Sequence, residues 1–96
     1  MDINAIKKFI KDNKLKVENQ FYKDLHNRQF LVISSRNEDN PENFDNVIPC
    51  TDLEEARTYI KWNYEYLARI INLETLQVIE ESRKLIRPTL KDICNG

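Results

Sequence analysis

The chain holds a single glycine, and it is the last residue, Gly96. A loop that cradles phosphate needs several glycines in a short run, so nucleotide binding of that kind is excluded. Histidine is as scarce: His26 is alone, in a polar stretch without Ser-His or Cys-His motif context, and reads as a solvated side chain rather than a catalytic base. Cys50 and Cys94 lie far apart, with no C-x-x-C and no histidine beside them, which excludes a zinc site and points to reduced thiols rather than a disulfide. No run approaches the ~18 apolar residues of a membrane span, and "MDINAIKKFI" lacks the apolar stretch of a signal peptide. A surplus of either charge is missing too: the net charge is −1, so the whole molecule reads neither as a nucleic-acid binder nor as a strongly acidic mimic of DNA. These absences predict a cytoplasmic protein that is not an enzyme, with no cofactor, no metal and no membrane partner.

What is present suits one small domain, residues 1–96. Hydrophobic residues are 41% and charged residues 32%, ordinary for a globular chain. Heavy use of Asn, Ile and Lys is what an AT-rich genome would give. "DINAIKKFIKDNK" predicts an amphipathic helix, with Ile3, Ile6 and Ile10 on one face beside Phe9 and Asp2 as N-cap. Lys7, Lys11 and Lys14 share an exposed stripe, with Lys8 near it. A solvated face explains that stripe; phosphate contact is the sharper alternative.

"KVENQFYK" is expected to be an edge strand, and "RQFLVISS" a central strand, apolar on both faces from Phe30 to Ile33. "RNEDNPENFDN", with four acids, four asparagines and a proline, is a loop. It lacks the central glycine and ligand spacing of a calcium loop. "VIPC" is a short strand that Pro49 confines to an edge or a strand end. Thr51 and Glu54 have capping-box spacing, and Leu53, Ala56, Ile60, Tyr64, Leu67 and Ile71 line one face of a helix held to about Tyr66.

"NLETLQVIEESRKLIRP" admits two readings. Ile70-Ile71 and Val78-Ile79 would suit a hairpin, but nothing in "LETL" readily takes φ > 0. Asn72 as a cap, Ile71 and Leu76 as a hydrophobic staple, Glu80 four before Lys84, and Pro88 as a stop favour a helix. One helix from Asp52 to Arg87 would be ~54 Å long, so a break near Tyr66 to Asn72 is expected. The predicted fold class is α+β: a three-stranded antiparallel sheet with helices, in the order α-β-β-β-α-α.

Two constellations rise above this background. One is the acidic loop, Glu38, Asp39, Glu42 and Asp45, with Phe44 among the charges. It is either a plain connection or a surface for a basic partner, and Phe44 could equally tuck back onto the sheet. The other is the far side of the middle helix, where Trp62 stands nearly opposite the apolar stripe and Tyr59, Tyr66 and Ile70 fill the arc between. Either a last helix covers that arc or these aromatics meet a partner protein. Val78 and Leu85 likewise face away from Leu76 and Ile79, which suggests a partner or a homodimer.

The opening "MDINAIKKFIKDNKLKV", followed by three short strands and two helices, resembles the small phage-encoded anti-CRISPR proteins that inhibit Cas9. The resemblance implies a non-enzymatic inhibitor whose acidic residues occupy the site that reads the short flanking motif of target DNA. Glu38, Asp39, Glu42 and Asp45 are the comparable cluster here, although many such inhibitors are far more acidic than −1. The expected function is a phage or mobile-element accessory protein that binds a host protein, a CRISPR nuclease or other defence factor, and occludes a functional site on it. The expected contacts are Glu38, Asp39, Glu42, Phe44 and Asp45, then Tyr59, Trp62 and Tyr66. The alternative is a small nucleic-acid-binding regulator using Lys7, Lys8, Lys11 and Lys14, which no recognition motif supports.

Overall fold

The computed structural model describes residues 2–37, 39–63 and 66–83. In chain order its elements are α1 (Ile3–Asp12), α2 (Asn19–Asp24), β1 (Phe30–Ser35), β2 (Asn46–Cys50), α3 (Leu53–Trp62), β3 (Leu67–Asn72) and β4 (Gln77–Arg83). The class is α+β, as expected, but the sheet has four antiparallel strands in the order β2-β1-β3-β4. The element order is accordingly α-α-β-β-α-β-β rather than α-β-β-β-α-α.

β1 is the wall between two cores. Its side chains alternate across the sheet, so Leu31 and Ile33 join Ile6, Ile10, Phe21 and Leu25 beneath α1 and α2. Val32 joins Cys50, Ala56 and Ile70 beneath α3. The domain is therefore three-layered, with α1 and α2 on one face and α3 on the other.

α1 forms as its sequence predicts: Asp2 accepts from the N–H groups of Asn4 (3.0 Å) and Ala5 (3.3 Å), and Ile6 and Ile10 are buried. It ends without glycine. Lys14 takes φ 55°, letting Leu15 N–H reach Ile10 O (2.9 Å) and Lys14 N–H reach Lys11 O (3.1 Å). This is the Schellman closure, whose left-handed position is usually glycine. Leu15 and Ile10 are buried in the same cluster, which supplies the hydrophobic contact that goes with the motif. Lys14, Asn27 and Leu76 are the described residues at positive φ, a left-handed backbone that costs about 1–2 kcal/mol where a Cβ is present.

Three expectations are overturned. The run at 16–23 is not an edge strand: Asn19–Asp24 are helical, with Phe21 and Leu25 buried four residues apart and Val17 half-buried four before. That 17, 21, 25 spacing is helical period, but Glu18 makes no capping bond and so marks no start. The middle helix stops at Trp62 instead of Tyr66; Leu67 and Ile71, assigned to its apolar face, are buried in β3. Tyr64 lies outside the described residues.

The third correction concerns the stretch from Asn72. It is a hairpin, not a helix, through Arg83; Lys84 to Pro88 lie outside the described residues. Asn72 Oδ1 does accept from Glu74 N–H (2.8 Å) and Thr75 N–H (3.4 Å), as a helix cap would. The chain then turns back, with Leu76 N–H on Asn72 O and Leu76 at φ 57°. Leu76 takes the conformation that seemed closed to it because its side chain packs against the larger core and Leu73 is buried there. Packing offsets the backbone strain.

Both sheet edges are irregular. β2 carries Pro49, which has no N–H to offer a neighbour. β4 has a register shift opposite Ile70/Ile71 that leaves Ile79 as an extra residue. Glu80, Glu81 and Arg83 line β4, and Val78 and Ile79 are exposed.

Candidate functional site

The site begins where β2 passes into α3. Cys50 ends the strand; Asp52 caps the helix, accepting from Glu55 N–H at 2.7 Å, and Glu55 in turn accepts from Thr51 N–H at 2.8 Å. The cap is thus Asp52, one residue beyond the Thr51 of the expected Thr51–Glu54 box, and the Glu55 carboxylate returns to the N–H of Thr51 rather than to that of the cap. The Arg28 guanidinium donates to Thr51 Oγ1 and ties this corner to the loop after α2.

An open cleft of about 470 Å³ lies between β2 and α3. Ile48, Cys50 and Tyr59 give it an apolar floor; Asp52, Glu54, Glu55 and Thr58 form the rest of its wall, with no lysine or arginine among the lining residues. Glu54 is exposed and makes no described hydrogen bond or ion pair. Glu55, Tyr59 and Trp62 are spaced i, i+4, i+7, and positions seven apart differ by only ~20° around a helix. Trp62 therefore extends the cleft-side flank of α3 by one turn beyond Tyr59. Its side chain is 74% exposed, the most of any described large hydrophobic residue, with the Lys61 ammonium 5.7 Å from the ring centre.

Cys50 is buried, and its thiol donates to Ile48 O at 3.8 Å. Burial, chiefly, pushes its pKa up to about 11; the Glu55 and Asp52 carboxylates add to the rise and Arg28 opposes it. At neutral pH it is a protonated, shielded thiol, part of a floor and not a nucleophile.

The aromatics predicted for a partner surface divide. Trp62 is free on the surface and no described helix covers it. Tyr59 is half-buried against the α3 core, and Tyr66, half-buried, donates its N–H to Ser35 O at 2.8 Å. The acidic loop is elsewhere. Phe44 packs into the α1/α2 core, on the opposite face of the sheet from Tyr59. The Arg69 guanidinium sits 5.2 Å from the Phe44 ring centre, 3.7 Å from Glu42 and 2.8 Å from Glu81. Phe44 is thus committed to its own domain and Glu42 to an internal ion pair. Asp39 and Asp45 are exposed, and Glu38 lies outside the described residues.

Lys7, Lys8 and Lys11 on α1 and Lys14 just beyond it are exposed, across the sheet from the cleft, with Lys7 over the Tyr22 ring at 5.3 Å. His26 is exposed in the turn after α2. Among the described residues no group of three His, Cys, Asp or Glu is placed to hold a metal ion, and no helix is long and apolar enough to cross a membrane.

Sequence reasoning missed the cleft. Ile48, Cys50 and Thr58 carried no signal of their own, and Glu54 and Glu55 were accounted for by helix capping. The readable clue was the Glu55-Tyr59-Trp62 spacing, which sets an acid and two aromatics on one flank. Comparison with known protein families, with curated proteins and with solved structures finds no match.

Proposed function

We propose that this protein works by binding another protein and occluding a functional site on it, as a non-enzymatic accessory factor of a phage or mobile element directed at a host protein. A CRISPR nuclease or other defence factor is the partner to test first, because of the N-terminal resemblance. The reading is carried by Trp62: a tryptophan exposed at 74% at the end of α3, the helix that walls the cleft. Tryptophan is enriched among residues that dominate interface energy, and a helix-borne anchor loses little freedom on binding. The acidic loop becomes a secondary contact through Asp39 and Asp45, since Glu42 and Phe44 are engaged within the domain.

The test is capture of the partner by the tagged full chain from bacterial lysate, with and without nuclease treatment, for wild type, Trp62→Ala and Lys7→Glu/Lys11→Glu. One nuclease-resistant partner in near-stoichiometric amount is expected, lost with Trp62→Ala and kept by the lysine variant. Trp62 is exposed, so unchanged thermal unfolding of the variant shows that folding is not the cause of its loss. Absence of any nuclease-resistant partner rejects the reading, and equal recovery by Trp62→Ala removes Trp62 as its anchor. Recovery that disappears with nuclease moves the function to the α1 lysines and nucleic acid, where binding would also collapse with salt.

A further inference from the structure

The cleft between β2 and α3 combines an apolar floor with a wall of one charge sign. Ile48 and Tyr59 offer several ångströms of carbon surface, and Asp52, Glu54 and Glu55 stand above them. Lysine and arginine have this shape in reverse, an apolar stem ending in a cation that stays near water. No lysine or arginine lines the cleft: Arg28 is bound to Thr51 Oγ1, Arg57 of α3 pairs with Glu80, and Lys61 lies over the Trp62 ring. Asp52 and Glu55 each use one oxygen in capping, while Glu54 has no described partner.

We infer that the cleft receives a basic side chain, lysine or arginine, presented by the partner protein, with its stem on Ile48 and Tyr59 and its cation between Glu54 and Glu55. This rests on the protein-binding reading above and specifies the partner's chemistry at that surface. Trp62 then serves the neighbouring residues of the same segment, its indole able to stack on a guanidinium. Because these carboxylates are exposed, the contact is salt-sensitive and contributes to selection and rate of encounter more than to raw affinity.

The experiment is a titration of the isotope-labelled full chain with hexa-arginine peptide, followed by amide and indole NMR shifts, with hexa-glutamate as the control. Shifts are expected at Ile48, Glu54, Glu55, Thr58 and the Trp62 indole. Glu54→Gln/Glu55→Gln, which keeps the oxygen that Thr51 N–H needs, should weaken binding about tenfold at low salt. Thr58→Lys places a basic chain at the exposed rim and should block the peptide without disturbing the core. Shifts centred on residues 39–45, or affinity unchanged in both variants, overturn the inference. The two proposals fail separately: lack of any captured partner rejects the binding reading whatever the peptide does, and absence of cleft shifts with Trp62-dependent capture intact rejects only this one.

Discussion

The two faces of the sheet are built unequally. Beneath α1 and α2 nine buried residues form one cluster, joined by Ile3, Phe9, Val17, Phe44 and Leu76 at its margins. Beneath α3 the buried cluster has four members, two of them small, Cys50 and Ala56, and it opens at one side into the cleft. Among the described residues, those with a left-handed backbone are Lys14 after α1, Asn27 after α2 and Leu76 against the larger core. The C-caps of α1 and α3 are alike, Asn13 at φ −94° and Asn63 at φ −103°. The thinner face has cavity, carboxylates and an exposed tryptophan, so stability and recognition are divided between opposite sides of one strand layer.

The sharpest way to break this contrast is to make the same cut on each side. Ile70 and Ile71 are adjacent, both fully buried, and belong to opposite clusters. Replacing a buried isoleucine by alanine costs about 2–5 kcal/mol. Ile71→Ala is expected near the upper end and Ile70→Ala near the lower, because the smaller core can relax into the cleft. Urea unfolding of both variants decides it, and equal losses would mean that the faces are energetically alike.

Cys50 gives a pH test confined to the thinner face. Its folded pKa is raised to about 11, so the folded chain keeps a proton that the unfolded chain releases from about pH 8.5. The contribution is complete below that value and disappears as pH rises toward 11; it amounts to roughly 3 kcal/mol. Urea midpoints should fall between about pH 8 and about pH 10.5 for wild type, and less so for Cys50→Ala. Parallel slopes would show that the thiol is not desolvated.

On the denser face, Lys14→Gly is expected to raise stability by about 1 kcal/mol by removing the left-handed penalty. A lowered melting temperature would mean that the Schellman closure depends on the lysine side chain. The smallest effect belongs to β4. Arg57 holds the Glu80 carboxyl below the usual range, and Arg69 does the same for Glu81. Depressed carboxyls contribute above about pH 4.3 and lose that contribution as pH falls through their lowered values. Hydrogen-exchange protection of β4 amides should therefore drop on acidification before that of α1, and simultaneous loss would reject it.

How much was legible follows from where local signals suffice. α1, β1 and the start of α3 were readable because Asp2, the Phe30–Ile33 run and the acids after Thr51 act within a few residues. The Asn72 signal was read correctly and extended wrongly. Its side chain organises one turn in either structure, and the hairpin depends on Ile70 and Ile71 pairing with β1, a contact some forty residues away along the chain. Helical angle set Trp62 opposite the apolar stripe but left open whether a last helix covers it; its exposure was settled by the fold. The cleft was not, because it joins β2 to α3 in three dimensions and its glutamates already had a local explanation.

The edges described above also decide how the sheet meets more of itself. A strand arriving at β2 finds Pro49 in place of a donor; one arriving at β4 finds a bulge at Ile79 beside the charged Glu80, Glu81 and Arg83. Such borders do not template growth, so crowding the molecule should yield neither ribbons nor cross-β fibres seeded from the folded state. The sheet is a finite object, and association is left to side chains.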